Sequence, residues 1–114
     1  MRTALSRLAL VVVLMLSVAG SASAQQTVSD RYDHVFRKYT KRFFGPGYDW
    51  RIFKAQAMTE SNLDPAAQSR VGARGIMQLM PTTFKEVQSK NPEVLSIDDA
   101  EWNIAAGVLY DRQL

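Results

Sequence analysis

The chain contains no cysteine and a single histidine, His34, so disulfides, thiolate zinc sites and histidine metal clusters are excluded at the outset. No metal or other cofactor is indicated. No serine or cysteine pattern accompanies His34, which sits in a polar, charged segment and reads as an ordinary surface residue rather than half of a nucleophilic pair. Strand-like alternation and internal repeats are absent too, which leaves a mainly α reading. The one long uncharged apolar run, Leu8 to Ala19, has 12 residues, short of the roughly 20 that span a bilayer.

That run has informative flanks. Arg2 and Arg7 precede it, and the small-residue stretch Ala22-Ser23-Ala24 follows, the three-part pattern of a secretory signal. Residues 1–24 are therefore expected to be a leader, cleaved after Ala24, leaving an exported chain with no stable membrane anchor. The leader holds two of the 14 basic residues and none of the 11 acidic ones, so residues 25–114 carry a net charge of +1. Such a near-neutral balance gives no support to a nucleic-acid partner. A local cluster remains at Arg37, Lys38, Lys41 and Arg42, but its interleaved aromatic residues follow helical spacing, and the cluster reads as a solvated face.

With 114 residues there is room for one small domain. Residues 29–43 read as an amphipathic helix capped by Ser29 or Asp30, with Tyr32, Val35, Phe36, Tyr39 and Phe43 on one stripe. Gly45-Pro46-Gly47 breaks the chain, which makes residues 25–47 an N-terminal helical segment with a linker. The main domain is expected to span 48–114, its first helix capped by Asp49.

Its centre is the stretch from Ala55 to Pro81. Trp50, Ile52, Phe53, Ala55, Ala57 and Met58 make a segment apolar on nearly all sides, which predicts a buried helix ending at about Ser61. Glu60 sits at that end. Desolvation and the partial negative charge of a helix C-terminus would both disfavour its charged form, and an acid kept neutral near pH 7 can donate a proton. Taken alone, a glutamate at a helix end is usually a solvated surface residue. Asn62, Asp64 and Pro65 then supply a turn, and Gly72 and Gly75 allow the chain to fold back against the Glu60 helix, carrying Gln78 as the lone uncharged polar side chain in an apolar run. A short helix follows Pro81, ended by Asn91-Pro92, and Asp98 with Glu101 forms a capping pair for a last helix. On it Asn103, Gly107 and Tyr110 share a face; the glycine there marks a close contact, either a helix crossing or a cleft wall.

Glu60-Ser61, the Ser-x-x-Gly-Ala-x-Gly stretch at 69–75 and Met77-Gln78-Leu79-Met80-Pro81 together resemble the catalytic domain of the soluble lytic transglycosylases, bacterial enzymes that cleave peptidoglycan glycan strands. In spacing they resemble the C-terminal module of the membrane-bound F-type members. Asn103-Ile104-Ala105-Ala106-Gly107 with Tyr110 is similar to the family's second signature, which lines the glycan cleft. The resemblance implies a lysozyme-like helical domain of the goose-type lysozyme and transglycosylase kind, acting in the periplasm on peptidoglycan. It implies Glu60 as catalytic acid and base, and Ser61, Gly75, Met77, Gln78, Asn103 and Tyr110 as substrate-binding residues. The β-1,4 bond between N-acetylmuramic acid and N-acetylglucosamine would be cut without water, giving 1,6-anhydro-muramic acid ends. The family's third signature, Tyr-Asn-Ala-Gly, has no counterpart, so the domain is expected to be incomplete at its C-terminus. A goose-type-lysozyme-like hydrolase and an inactive glycan-binding fragment are the alternatives.

Overall fold

The computed structural model describes residues 29–114; the expected leader and its cleavage point after Ala24 lie outside them. The expected stripe organises the first helix, α1 (Asp33–Phe44): Val35, Phe36 and Tyr39 are buried, with Tyr32 and Phe43 packed against them. Fully burying side chains of this size contributes roughly 1.5–3 kcal/mol each. The helix begins later than Ser29 or Asp30. Its N-cap is Tyr32, which makes no side-chain cap bond, and Asp33 provides the first-turn acid that complements the helix dipole.

Gly45, at φ +94°, ends α1 by donating its N–H to the Lys41 carbonyl. The short connection that follows is held by aromatic contact: the Phe44 ring centroid lies 4.6 Å from Tyr48 and 5.1 Å from Phe53. Asp49 then accepts a bond from the Arg51 N–H at 3.0 Å at the start of α2 (Arg51–Ser61), but the N-cap position is Trp50, one residue later than expected, and it makes no side-chain cap bond. Lys54 of α2 reaches back to Asp33 of α1 at 2.7 Å, a pair with only 15% and 17% of the side chains exposed. The first helix is thus part of one compact unit with the rest of the chain, Tyr32–Leu114.

Pro81 opens α3 (Pro81–Lys90), where its missing N–H costs nothing, and Phe84 and Val87 face inward. Asn91 closes the helix through its backbone N–H and its side-chain amide, both on Val87 O. In α4 (Ala100–Gln113) every residue from Asn103 to Leu109 is buried, with α1 and α3 packed against the helix. Ile104, Ala105, Ala106, Val108 and Leu109 fill the positions between the signature residues and make α4 apolar all round, the composition of a core helix. Its cap also differs: Asp99, not Asp98, accepts from the Trp102 N–H at 3.0 Å. That leaves Asp98 to pair with Arg74 at 2.7 Å, while Glu101 turns toward α1 and accepts from Tyr39 Oη and Lys38 Nζ, both at 2.8 Å.

Among the described residues there is no strand; two isolated bridges, Gln68 with Arg74 and Arg74 with Leu79, tie the 62–80 connection. The class is mainly α, as expected. No described helix is long and apolar enough to cross a membrane.

Candidate active site

The end of α2 and the connection behind it form the site. Asn62 takes a left-handed conformation (φ +54°) and donates its N–H to Met58 O, so the helix stops one residue after Glu60. Asp64 accepts from the Ala66 N–H at 2.9 Å, committing it to the turn around Pro65. The chain then runs out and returns: Ser69 N–H bonds Ala73 O, and Arg74 and Leu79 exchange backbone bonds of 2.9 and 3.1 Å. The return leg ends against α2, where Ser61 Oγ donates to Ile76 O at 2.7 Å. Ser61 therefore fixes the signature loop to the helix that carries Glu60.

Glu60 itself is exposed. The apolar enclosure expected for it fails for a geometric reason: α2 buries only Phe53 and Ala57 along one line, while Ile52 and Met58 lie 54% and 44% exposed. A helix whose composition is apolar all round can still lie on the surface when its neighbours cover one side. Glu60 makes no hydrogen bond or ion pair with another described residue, and its carboxylate is presented outward.

The remaining signature residues gather below the loop. Asn103 is 1% exposed, and its amide serves three backbone groups: Oδ1 accepts from the Met77 N–H at 2.8 Å, and Nδ2 donates to Arg74 O and Ile97 O, each at 3.0 Å. Gly75, at φ +79°, lies flat on that amide; a Cβ there would sit 2.3 Å from Nδ2. Gly107 does the same for Met77, whose Cγ and Cβ would be 2.6 and 2.7 Å from an added methyl. The mid-helix glycine is explained as a close contact, and its partner is the loop. Gln78 adopts a left-handed backbone (φ +50°), and its Nε2 donates to Gly75 O at 2.8 Å and Ala67 O at 3.1 Å, bonds that offset the conformational cost. Tyr110 is partly buried against the core.

The structure thus brings the predicted residues together in two layers. Glu60 and Ser61 stand at the surface end of α2; Gly75, Met77 and Asn103 form a buried support, with Gln78 half-buried beside them. A depression of about 350 Å³ beside the loop is lined by Pro65, Ala67, Gln68, Arg74 and Gly75 among others, and Glu60 is not part of its wall. Sequence reasoning missed the roles of Arg74 and Ile97 as carbonyl partners of Asn103, since backbone acceptors carry no side-chain signal.

Residues 35–114 match the model of the transglycosylase SLT domain. The chain belongs to this family. Among curated proteins, the SLT-domain chain is similar to the membrane-bound lytic murein transglycosylase F of Desulfosudis oleivorans, with 42% identity over 68 residues, covering 60% of this chain and 14% of that protein. The proteins of the same name from Photobacterium profundum (36% over 84 residues; 74% and 14% covered) and Vibrio cholerae serotype O1 (35% over 91 residues; 80% and 15% covered) are also similar. The matched SLT region thus spans about a seventh of the length of these relatives. No solved structure matches significantly.

Proposed function

We propose that this chain is a peptidoglycan lytic transglycosylase module that acts in the periplasm, with Glu60 as its catalytic acid and base. The observation that carries the reading is the 2.7 Å bond from Ser61 to the Ile76 carbonyl, which fastens the family's glycine-containing loop beside an outward-facing glutamate. Family membership and relatives named lytic murein transglycosylases support the substrate class. Glu60 gives its proton to the glycosidic oxygen as the bond to C1 of N-acetylmuramic acid breaks, and the sugar's acetamido oxygen closes on C1. The 6-hydroxyl then attacks C1, the acetamido oxygen departs, and the hydroxyl proton returns to Glu60. The products are a free N-acetylglucosamine 4-hydroxyl and a 1,6-anhydro-muramic acid end, with no water consumed.

Because Glu60 is exposed, the desolvation that favours a neutral acid has to come from the glycan strand laid over the end of α2. A single carboxylate suffices in this scheme, since the substrate supplies both the acetamido group and the nucleophile. Mass spectrometry of a digest of purified peptidoglycan tests the reading. Fragments ending in 1,6-anhydro-muramic acid, absent with Glu60→Gln, are expected. Reducing ends would establish a goose-type hydrolase instead, and unchanged cleavage by Glu60→Gln would overturn the assignment of the acid.

A further inference from the structure

A second concave region lies on the other side of α2. It encloses about 460 Å³, within the range of small-ligand sites, and its walls include Arg37 of α1 and Trp50, Arg51, Lys54 and Met58 around α2. Three cations converge on one indole: Arg37 Cζ lies 4.6 Å from the Trp50 ring centroid, Arg51 Cζ 5.8 Å and Lys54 Nζ 5.9 Å. Asp33 is the one acid in the wall, and it is already paired with Lys54. Arg37 and Arg51 both line the depression, and neither has a carboxylate partner among the described residues.

Arginines stacked on an aromatic face have their planar forks pre-oriented, so less side-chain freedom is lost when a carboxylate docks bidentately. Two like charges held near one ring also repel each other, and an anion between them removes that repulsion. The depression is distinct from the proposed cutting site. Glu60 is nine residues beyond Arg51, which at 100° per residue puts it on the opposite side of α2 and about 14 Å along the axis. A ligand in the depression leaves Glu60 uncovered.

We infer that the Arg37–Trp50–Arg51 depression binds a free carboxylate of the peptide stems that peptidoglycan carries. The inference rests on the peptidoglycan reading above for its choice of ligand. A concave site with two pre-oriented forks suits a discrete carboxylate better than the flat face of a bilayer. A peptide of four residues spans at most about 14 Å, less than the axial rise and the width of α2 together, so the stem that docks here is carried by a different sugar from the one lying at Glu60.

The test uses the intact chain bearing Glu60→Gln, so that binding is read without cleavage. Its affinity is measured for sacculi, for glycan strands stripped of peptide by an amidase, and for the free tetrapeptide stem. Tighter binding to sacculi than to stripped strands is expected, with Arg37→Gln/Arg51→Gln losing at least about tenfold on sacculi and on the tetrapeptide. The double variant should be unchanged on stripped strands, which also shows that it folds; Arg37→Lys/Arg51→Lys should recover only part of the loss. Equal binding of both chains to sacculi, or loss on stripped strands as well, overturns the inference. So does a loss confined to phosphatidylglycerol vesicles, which would make this a lipid site. A wild-type chain that binds the tetrapeptide through these arginines yet cuts no glycan leaves the carboxylate site standing and removes the enzymatic reading instead.

Discussion

The surface end of α2 and the junction between the signature loop and α4 are built in opposite ways. At the first, Glu60 is exposed and without a described partner; at the second, Asn103 is almost fully buried and its amide bonds three backbone groups. Both regions lie within residues 35–114, which match the SLT-domain model. Most of the residues on which the resemblance rests hold one loop in place, and in the proposed function a small part of them meets the solvent where a glycan strand would lie.

The sharpest way to break this contrast is to separate activity from stability. Glu60→Gln should lower peptidoglycan cleavage by about 10²–10⁴-fold, the usual contribution of acid–base catalysis, while its melting temperature stays within the scatter expected for an exposed site. Asn103→Ala should do the reverse in kind. It strands the Met77 N–H and removes a donor from two carbonyls, so a loss of about 3 kcal/mol is expected. At about 4–8 °C per kcal/mol for a domain of this size, thermal unfolding reads it easily. Gly75→Ala should cost about 2–4 kcal/mol, because a left-handed φ and a methyl 2.3 Å from Asn103 Nδ2 act together. If Asn103→Ala unfolded like wild type and lost only substrate affinity, the buried-support reading would be wrong.

The parts legible in the sequence were those with a local cause. The stripe of α1, the break at Gly45, the stop after Ser61 and the proline start of α3 each follow from a few neighbouring residues. What was illegible depended on distant partners. Whether α2 is covered on one side or all round is decided by which helices reach it, and its apolar composition is silent on that. The choice between Asp98 and Asp99 as cap turned on Arg74, which draws Asp98 away at 2.7 Å from 24 positions upstream. The left-handed Gln78 could not be read either, since its side-chain bonds to Gly75 O and Ala67 O exist only once the loop is closed.

A smaller effect refines the junction. In Gly107→Ala the helix gains about 1 kcal/mol of propensity, but the new methyl meets the root of the Met77 side chain, and overpacking of this kind costs about 1–3 kcal/mol. A net destabilisation near 1 kcal/mol is expected. Met77→Ala alone leaves a cavity worth about 2–5 kcal/mol. Combined with Gly107→Ala, the added methyl fills part of that space and meets only the Cβ that alanine retains, no longer Cγ and Cε, so the double variant should be more stable than the sum of the singles. Additive melting temperatures would show that Gly107 and Met77 are not in contact.

The smallest expected effect is a pH dependence at the far side of α4, where Glu101 joins that helix to α1. Hydrogen bonds from Lys38 and then Tyr39 hold its carboxyl below the ordinary value of 4.5, with His34 adding a weaker attraction. A carboxylate with a lowered pKa in the folded state stabilises the fold above its unfolded value, and that contribution disappears as the pH falls through the lowered one. Asp111 acts with the opposite sign, because burial raises its pKa above 3.8 and protonation then relieves a cost of folding. The two slopes oppose each other in the same acid range, so the wild-type profile alone is uninformative. Comparison with Glu101→Gln isolates the clasp. Its deficit in melting temperature relative to wild type should be present at pH 6 and shrink steadily as the pH is taken below 4.5. Partial exposure of Lys38 and Glu101 keeps the deficit to a few degrees at most. A deficit that is constant with pH would mean that Glu101 acts through packing, and that the ion pair with Lys38 contributes nothing.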